Sequence, residues 1–178
     1  MLYHSLINSG AQYGIIAWGR AGSCHMQPIS VVLNGAMRCL TINELLTSKA
    51  SIIYQTLKII QLKDIYNHEV TKFMYKYTNS QLPATFNNHL KLITDVHPYK
   101  TRQIKTRQFA LPKARSNSGA KMTKYSAVEI WWRIPLEIKN KTCSALFSSE
   151  YKKHMYYSAT RNIFCVLFIG VDKPGVLI

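Results

Sequence analysis

Lys100, Arg102, Lys105, Arg107, Lys113 and Arg115 recur at close spacing in one stretch, with Tyr99 just ahead of them and Phe109 in their midst. Ammonium and guanidinium groups at that density grip phosphate oxygens, and exposed rings stack on unpaired bases. The chemistry on offer is therefore recognition of a polyphosphate strand rather than bond-making. Of 178 residues, 23 are Lys or Arg and 8 are Asp or Glu, a net charge of +15. Cut at its composition changes, the chain carries +1 over 1–48, +3 over 49–90, +8 over 91–124 (9 basic against 1 acidic) and +3 over 125–178. A surplus this local points to RNA or DNA as a partner, ahead of an acidic membrane surface. From Arg107 to Arg115 the odd positions read Arg, Phe, Leu, Lys, Arg and the even ones Gln, Ala, Pro, Ala. Period-two alternation broken by a proline predicts an extended edge strand or arm. Phe109, and further on Trp132 beside Arg133, are candidate stacking rings. The plainer reading turns Phe109 and Leu111 into the core.

Other chemistry finds little support. The carboxylates Glu44, Asp64, Glu69, Asp95, Glu129, Glu137, Glu150 and Asp172 are isolated, with no D-x-D or E-x-x-H spacing. A two-metal phosphoryl-transfer site, a glycosidase pair or a calcium cage would have to be assembled from remote positions. Cys24, Cys39, Cys143 and Cys165 show no C-x-x-C spacing and read as reduced intracellular thiols, buried as small hydrophobes. His68 and Glu69 are adjacent, but neighbours on a helix diverge by about 100°, which predicts a solvated pair. His25 and His97 lack sequence partners, and no Ser/His/Asp order emerges. No catalytic residue, metal ligand or cofactor is expected. Met1–Gly19 is apolar but lacks a basic leader region and is interrupted by His4, Asn8 and Gln12, which predicts neither a secretion signal nor a membrane span. The expected location is intracellular, and nuclear for a nucleic-acid binder.

The elements that must position the cations read as helices. The composition, 47% hydrophobic and 17% charged, is that of a chain with a core rather than a disordered one. Ile29, Val32, Leu33, Ala36, Met37 and Leu40 form a helical stripe behind Pro28 at a first helical position. A stronger stripe runs through Leu62, Ile65, Tyr66, Val70, Phe73, Met74 and Tyr77. Its opposite face holds Lys63, Asp64, Asn67, His68, Thr71, Lys72 and Lys76, and Pro83 lies past its end. Residues 2–18 are a third helix candidate weakened by Gly10 and Gly14, and Thr41-x-x-Glu44 resembles a capping box. Downstream, Pro135 ends a helix holding Trp131 as core anchor, and Ser144 caps a last helix with Leu146, Phe147, Tyr151 and Met155. Ile163–Ile169 is uncharged and β-prone, either a buried strand or an appended apolar tail. The fold class expected is mainly α: a helical region over 1–95, an extended basic arm over 96–124, an aromatic helical subdomain over 125–158 and an apolar tail over 159–178. One short β-hairpin is allowed for.

Several blocks, taken in order, resemble one family. They are Leu2-Tyr3-His4-Ser5-Leu6-Ile7 with Tyr13-Gly14-Ile15-Ile16-Ala17-Trp18-Gly19, Pro28 with Ala36-Met37-Arg38-Cys39-Leu40-Thr41, and Leu57 through Tyr66. Phe73-Met74-Tyr75-Lys76, Leu82-Pro83 with Phe86, His97-Pro98-Tyr99-Lys100-Thr101-Arg102, and Trp131 with Ile134-Pro135 and Ile138-Lys139 follow. Over about residues 1–158 this set resembles the region after the palm in reverse transcriptases of non-LTR retrotransposons, near the jockey-like lineage. The resemblance implies a thumb and C-terminal region of an RNA-directed DNA polymerase, with template–primer and an upstream palm as its partners. The family's metal-binding aspartates, including a Tyr/Phe-x-Asp-Asp box, belong to that palm, and this sequence has no Asp-Asp. Trp132 stands where the family usually has Asn, and residues 159–178 match nothing in it, as in a frame-shifted element copy or a host exon. The expected function is a non-catalytic, nucleic-acid-binding reverse transcriptase fragment that grips template–primer backbone. The alternatives are a protein-interaction module for an acidic partner, meeting it through Trp131 or Trp132, and an unstable pseudogene product.

Overall fold

The computed structural model describes residues 3–40, 49–96 and 109–168, with side chains as far as Tyr157 and without that of His4. The fold is mainly α. A π-helical turn, Tyr3–Asn8, runs into α1 (Ser9–Gln12), and α2 (Ile15–Trp18), α3 (Ser23–Leu40), α4 (Ala50–Thr56) and α5 (Leu62–Thr78) follow. A 3₁₀ turn (Ala84–Phe86) and α6 (Ile93–Val96) precede the basic stretch. Beyond it come α7 (Asn117–Lys121), α8 (Thr123–Trp132), α9 (Leu136–Lys139) and α10 (Ser144–Phe168). Among the described residues the only β pairing is an antiparallel bridge between Leu92 and Phe109, so the allowed-for hairpin reduces to one bridge.

Helix α5 is the hub, packed against α1, α2, α8 and α10. Its stripe buries as the periodicity predicts, with Leu62, Ile65, Tyr66, Val70 and Met74 inside and Phe73 and Tyr77 half-buried. His68 and Thr71, on the face expected to meet water, are buried too, because α10 covers that side. The core therefore joins the helical region over 1–95 to the aromatic one over 125–158 in a single cluster reaching from Ala11 to Tyr151. Phe147 sits at its centre, fully buried. Its ring lies 4.4 Å from Tyr75, 6.1 Å from Trp131 and 6.3 Å from Tyr151, which ties α5, α8 and α10 together. Polar links reinforce the contact. Tyr66 and Ser126 share a 2.6 Å hydrogen bond between α5 and α8, and the Tyr75 hydroxyl donates to the Lys141 carbonyl at 2.6 Å. A smaller cluster joins Tyr3, Met37, Ile53 and Tyr54.

The N-terminal helix candidate breaks where glycine allows it. Gly14 adopts φ +62 between α1 and α2. At Gly19 the constraint is proximity: an added Cβ would lie 2.6 Å from the Ile15 carbonyl oxygen and run into the Tyr66 ring.

Several expectations are corrected. Helix α3 begins at Ser23, so Pro28 lies inside it rather than at its first position. Only Leu33 and Met37 of its stripe are buried, while Val32 is 70% exposed and Ile29 and Leu40 also face out. Cys24, Cys39 and Cys143 are exposed free thiols, not buried hydrophobes, since each lies off the packed face of its segment. Helix α10 continues through Phe168, so Ile163–Phe168 is helical backbone rather than a strand: the helical i→i−4 pattern carries on, and no strand stands beside it among the described residues. It begins with Ser144 already inside the helix, where the Phe147 N–H donates to the Cys143 carbonyl at 2.9 Å. Side-chain capping is rare: Ser116 accepts from the Gly119 N–H, while Gln61, Lys49, Met122 and Pro135 cap nothing. The capping-box residues Thr41 and Glu44 lie outside the described residues.

Replacing Phe147 with alanine opens a cavity where three helices meet and is expected to cost about 3–5 kcal/mol. Tyr157→Ala, at a residue 73% exposed, should stay within about 0.5 kcal/mol of the parent. Urea unfolding followed by circular dichroism measures both.

Candidate nucleic-acid interface

The cationic stretch is anchored on both sides. On its entry side, Tyr77 reaches out from α5, its hydroxyl 3.1 Å from the Asn87 carbonyl, and the Leu90 N–H donates back to it at 3.1 Å. That fixes Leu90 and Lys91 against the core. On its exit side, Phe109 is 4% exposed and sets its ring at 71° to Tyr77, with 5.6 Å between centroids. The Leu92–Phe109 bridge and the Ala110 N–H, which donates to the Lys91 carbonyl at 2.9 Å, pin entry to exit. The Trp132 indole N–H donates to the Phe109 carbonyl at 3.1 Å and adds a third tie, to α8.

Phe109 is therefore a core anchor rather than a stacking ring, as the plainer reading had it. Its setting explains why: the ring packs edge-on against Tyr77 and belongs to the main core cluster. Trp132 is half-buried and its N–H is engaged, so it anchors the segment instead of projecting toward a base. Leu111 is half-buried, whereas Lys113 and Arg115 are exposed. The arm's last part is not extended, because Ser116 caps α7, which begins at Asn117, and Thr123 starts α8. Tyr99, Lys100, Arg102, Lys105 and Arg107 lie outside the described residues.

Lys113, Arg115, Lys121 and Lys124 are exposed and form no ion pair among the described residues. Three carboxylates are paired within other segments: Glu69 with Lys72 at 3.0 Å, Glu129 with Arg133 at 2.6 Å and Glu150 with Lys153 at 2.9 Å. The exit side of the segment thus keeps its full positive charge.

Two clefts flank the Phe86–Leu90 turn. One, of about 510 Å³, is mostly polar and lies beside the bridge, lined by residues that include Tyr77, Ser80, Asn87, Asn88, Asp95 and Phe109. The other, of about 440 Å³, is mostly apolar and lies between α2, α5 and α8, with Glu69 and Lys124 among its lining residues.

Sequence spacing misses the setting of His68 altogether. It is 3% exposed, with Nε2 2.9 Å from the Ser148 hydroxyl and Nδ1 3.3 Å from Glu69 Oε1, and it stacks on Tyr151. Carboxylate, imidazole and hydroxyl thus follow one another in hydrolytic order. Of the three, however, only Glu69 lines either cleft, and it is ion-paired with Lys72, whose Nζ lies 3.0 Å from each carboxylate oxygen. The row serves as a buried polar link between α5 and α10. Partners lying 80 residues apart leave no local signal. Burial alone would push the Glu69 carboxyl up. Hydrogen bonds from His68 and Lys72, together with the Lys72 charge, outweigh it and hold the group down at about 2. Among the described residues no group of three His, Cys, Asp or Glu side chains could hold a metal ion, and no helix is long and apolar enough to cross a membrane.

No protein-family model, curated protein or solved structure matches this chain.

The Glu69 carboxylate gives the fold a defined acid limb. A carboxyl lowered in the folded state contributes stability that is present above its unfolded pKa of about 4.3 and is lost as pH falls through about 2. The urea midpoint should therefore fall between pH 5 and pH 2, and Glu69→Gln should flatten that decline while lowering the midpoint at pH 7.

Proposed function

We propose that this chain is a non-catalytic nucleic-acid-binding module whose segment 91–124 grips the phosphate backbone of RNA or DNA. The observation that carries the reading is an unbalanced cationic stretch, +8 of the total +15, fastened at both ends to a helical core. Lys113, Arg115, Lys121 and Lys124 face solvent without carboxylate partners among the described residues, so they can neutralise phosphates without first breaking internal pairs. Anchoring matters because cations held on a fixed base lose less freedom on binding than cations on a free chain. Contacts of this kind position a strand and carry no sequence information.

The mainly helical fold and the ordered motifs over residues 1–158 support a further reading: the chain is a thumb and C-terminal remnant of a non-LTR retrotransposon reverse transcriptase. In that setting the grip would hold template–primer while an upstream palm supplied the catalytic aspartates. The exposed apolar face of α3, with Val31 61% and Val32 70% exposed, accords with a helix shaped to pack against further protein. The rival reading, a module for an acidic protein, draws on the same cations.

Binding of a labelled oligonucleotide, followed by fluorescence anisotropy across a salt series, tests the proposal. With about 5–8 phosphates engaged, the log–log slope should be roughly −4 to −7 for duplex and shallower for single strands. Neutralising Lys113, Arg115, Lys121 and Lys124 together should flatten the slope by about 3–4. Oligonucleotide binding absent from a cooperatively folded chain, or insensitive to salt, would end the idea. Equal retention of a polyglutamate of matched charge would favour the rival.

A further inference from the structure

The apolar cleft adjoins the cationic segment at the segment's far end, and that adjacency bears on which form of nucleic acid is held. Its walls include Ile15, Ile16, Phe73, Phe86, Leu90 and Ala127, and its volume of about 440 Å³ is ample for one base. Phe86 is half-buried and stands edge-on to Phe73, with 5.6 Å between centroids, and to His89 at 6.2 Å. The Thr123 hydroxyl donates to the Ile16 carbonyl at 2.9 Å and joins α8 to α2 across one side.

A duplex keeps its base faces stacked inside and offers only edges and backbone, so it has nothing to seat in an apolar, aromatic-walled recess. An unpaired base has two free π faces and an N–H donor on its pairing edge. Glu69 lines the recess as a carboxylate, and its oxygens are used unequally. Oε1 faces both His68 and Lys72, whereas Oε2 takes Lys72 alone and keeps an acceptor position open. Lys124 also lines the recess, exposed and without a carboxylate partner among the described residues. A nucleotide with its base inside would therefore meet one acceptor in the recess and one cation for its phosphate.

We infer that this cleft seats one unpaired nucleobase of a single strand, with Lys124 on that nucleotide's phosphate and the rest of the backbone on the basic segment. The inference rests on the nucleic-acid reading above and narrows it to single strands. Because every base has a π face and an N–H donor, the cleft selects for strandedness and not for sequence.

Three labelled oligonucleotides of matched length provide the test: a single strand, its duplex and an abasic single strand. The full chain is compared with Phe86→Ala and with Ala17→Trp, which fills the cleft from an exposed lining position. The base-bearing strand should bind about tenfold more tightly than the abasic one, the size of a single stacked base. It should also bind more tightly than the duplex. Both variants should bring its affinity down to the abasic level and leave the abasic affinity unchanged. Ala17→Trp keeps the comparison informative if Phe86→Ala unsettles the turn. Equal binding of all three strands by the parent chain, or retention of the base preference in Ala17→Trp, would overturn the inference with the backbone-gripping reading intact. Binding of none of the three would overturn both.

Discussion

The seating of one phenylalanine decides how much of this chain behaves as a unit. Phe147 enters from the first turns of α10 and is covered by Tyr75 of α5, Trp131 of α8 and its own neighbour Tyr151. Rings at such offsets add specific attraction to the area they remove from water. Helices from opposite ends of the sequence therefore share one interior, and the buried row from His68 to Ser148 runs along the same seam. Helix α8 also packs directly on α5, where Tyr66 hydrogen-bonds Ser126, and from that position Trp132 reaches the Phe109 carbonyl.

Charge is sorted in the same spirit. The ion pairs among the described residues each join positions on one helix or on a helix and its C-cap, separated by one, three or four residues, and none involves a cation of segment 91–124. Exposed pairs of this type contribute little to stability. Their effect here is spatial: Glu69, Glu129 and Glu150 are each taken up by a neighbouring cation, and Lys113, Arg115, Lys121 and Lys124 are left without a carboxylate partner among the described residues. The Tyr77–Phe109 contact and the single bridge below it hold the base of that segment to the hub helix.

Local pattern carried some of this and missed the rest for definable reasons. The α5 stripe was legible because its period matched a helix with one strongly buried face, and Trp131 because a large apolar ring next to a helix end has few other uses. His68 was misread since adjacency along the chain says nothing of a helix arriving from 80 positions away. The α3 stripe was over-read in the opposite sense: amphipathic spacing shows which side can be buried, not whether anything covers it, and Val32 is left in water. Phe109 turned inward because alternation in an arm cannot say which register meets the core. Of the candidate interface, the cations were plain in the sequence. The recess was not, because its walls come from α2, α5, the 3₁₀ turn and α8, and no window of sequence contains them all.

The scarcity of capping side chains makes the helices dependent on one another. Short elements such as α2 and α9 are far below the length at which a helix persists alone, and most starts lack the hydroxyl or carboxylate that would hold the first turn. Excised peptides from this molecule should thus be coil in water, and the native helices survive only through their companions. Gln61, already at φ −70 and ψ 158 before α5, has the backbone shape that an aspartate or serine would use to fasten that turn. A single exchange there would lend the hub helix about 1 kcal/mol of autonomy without touching its packed faces.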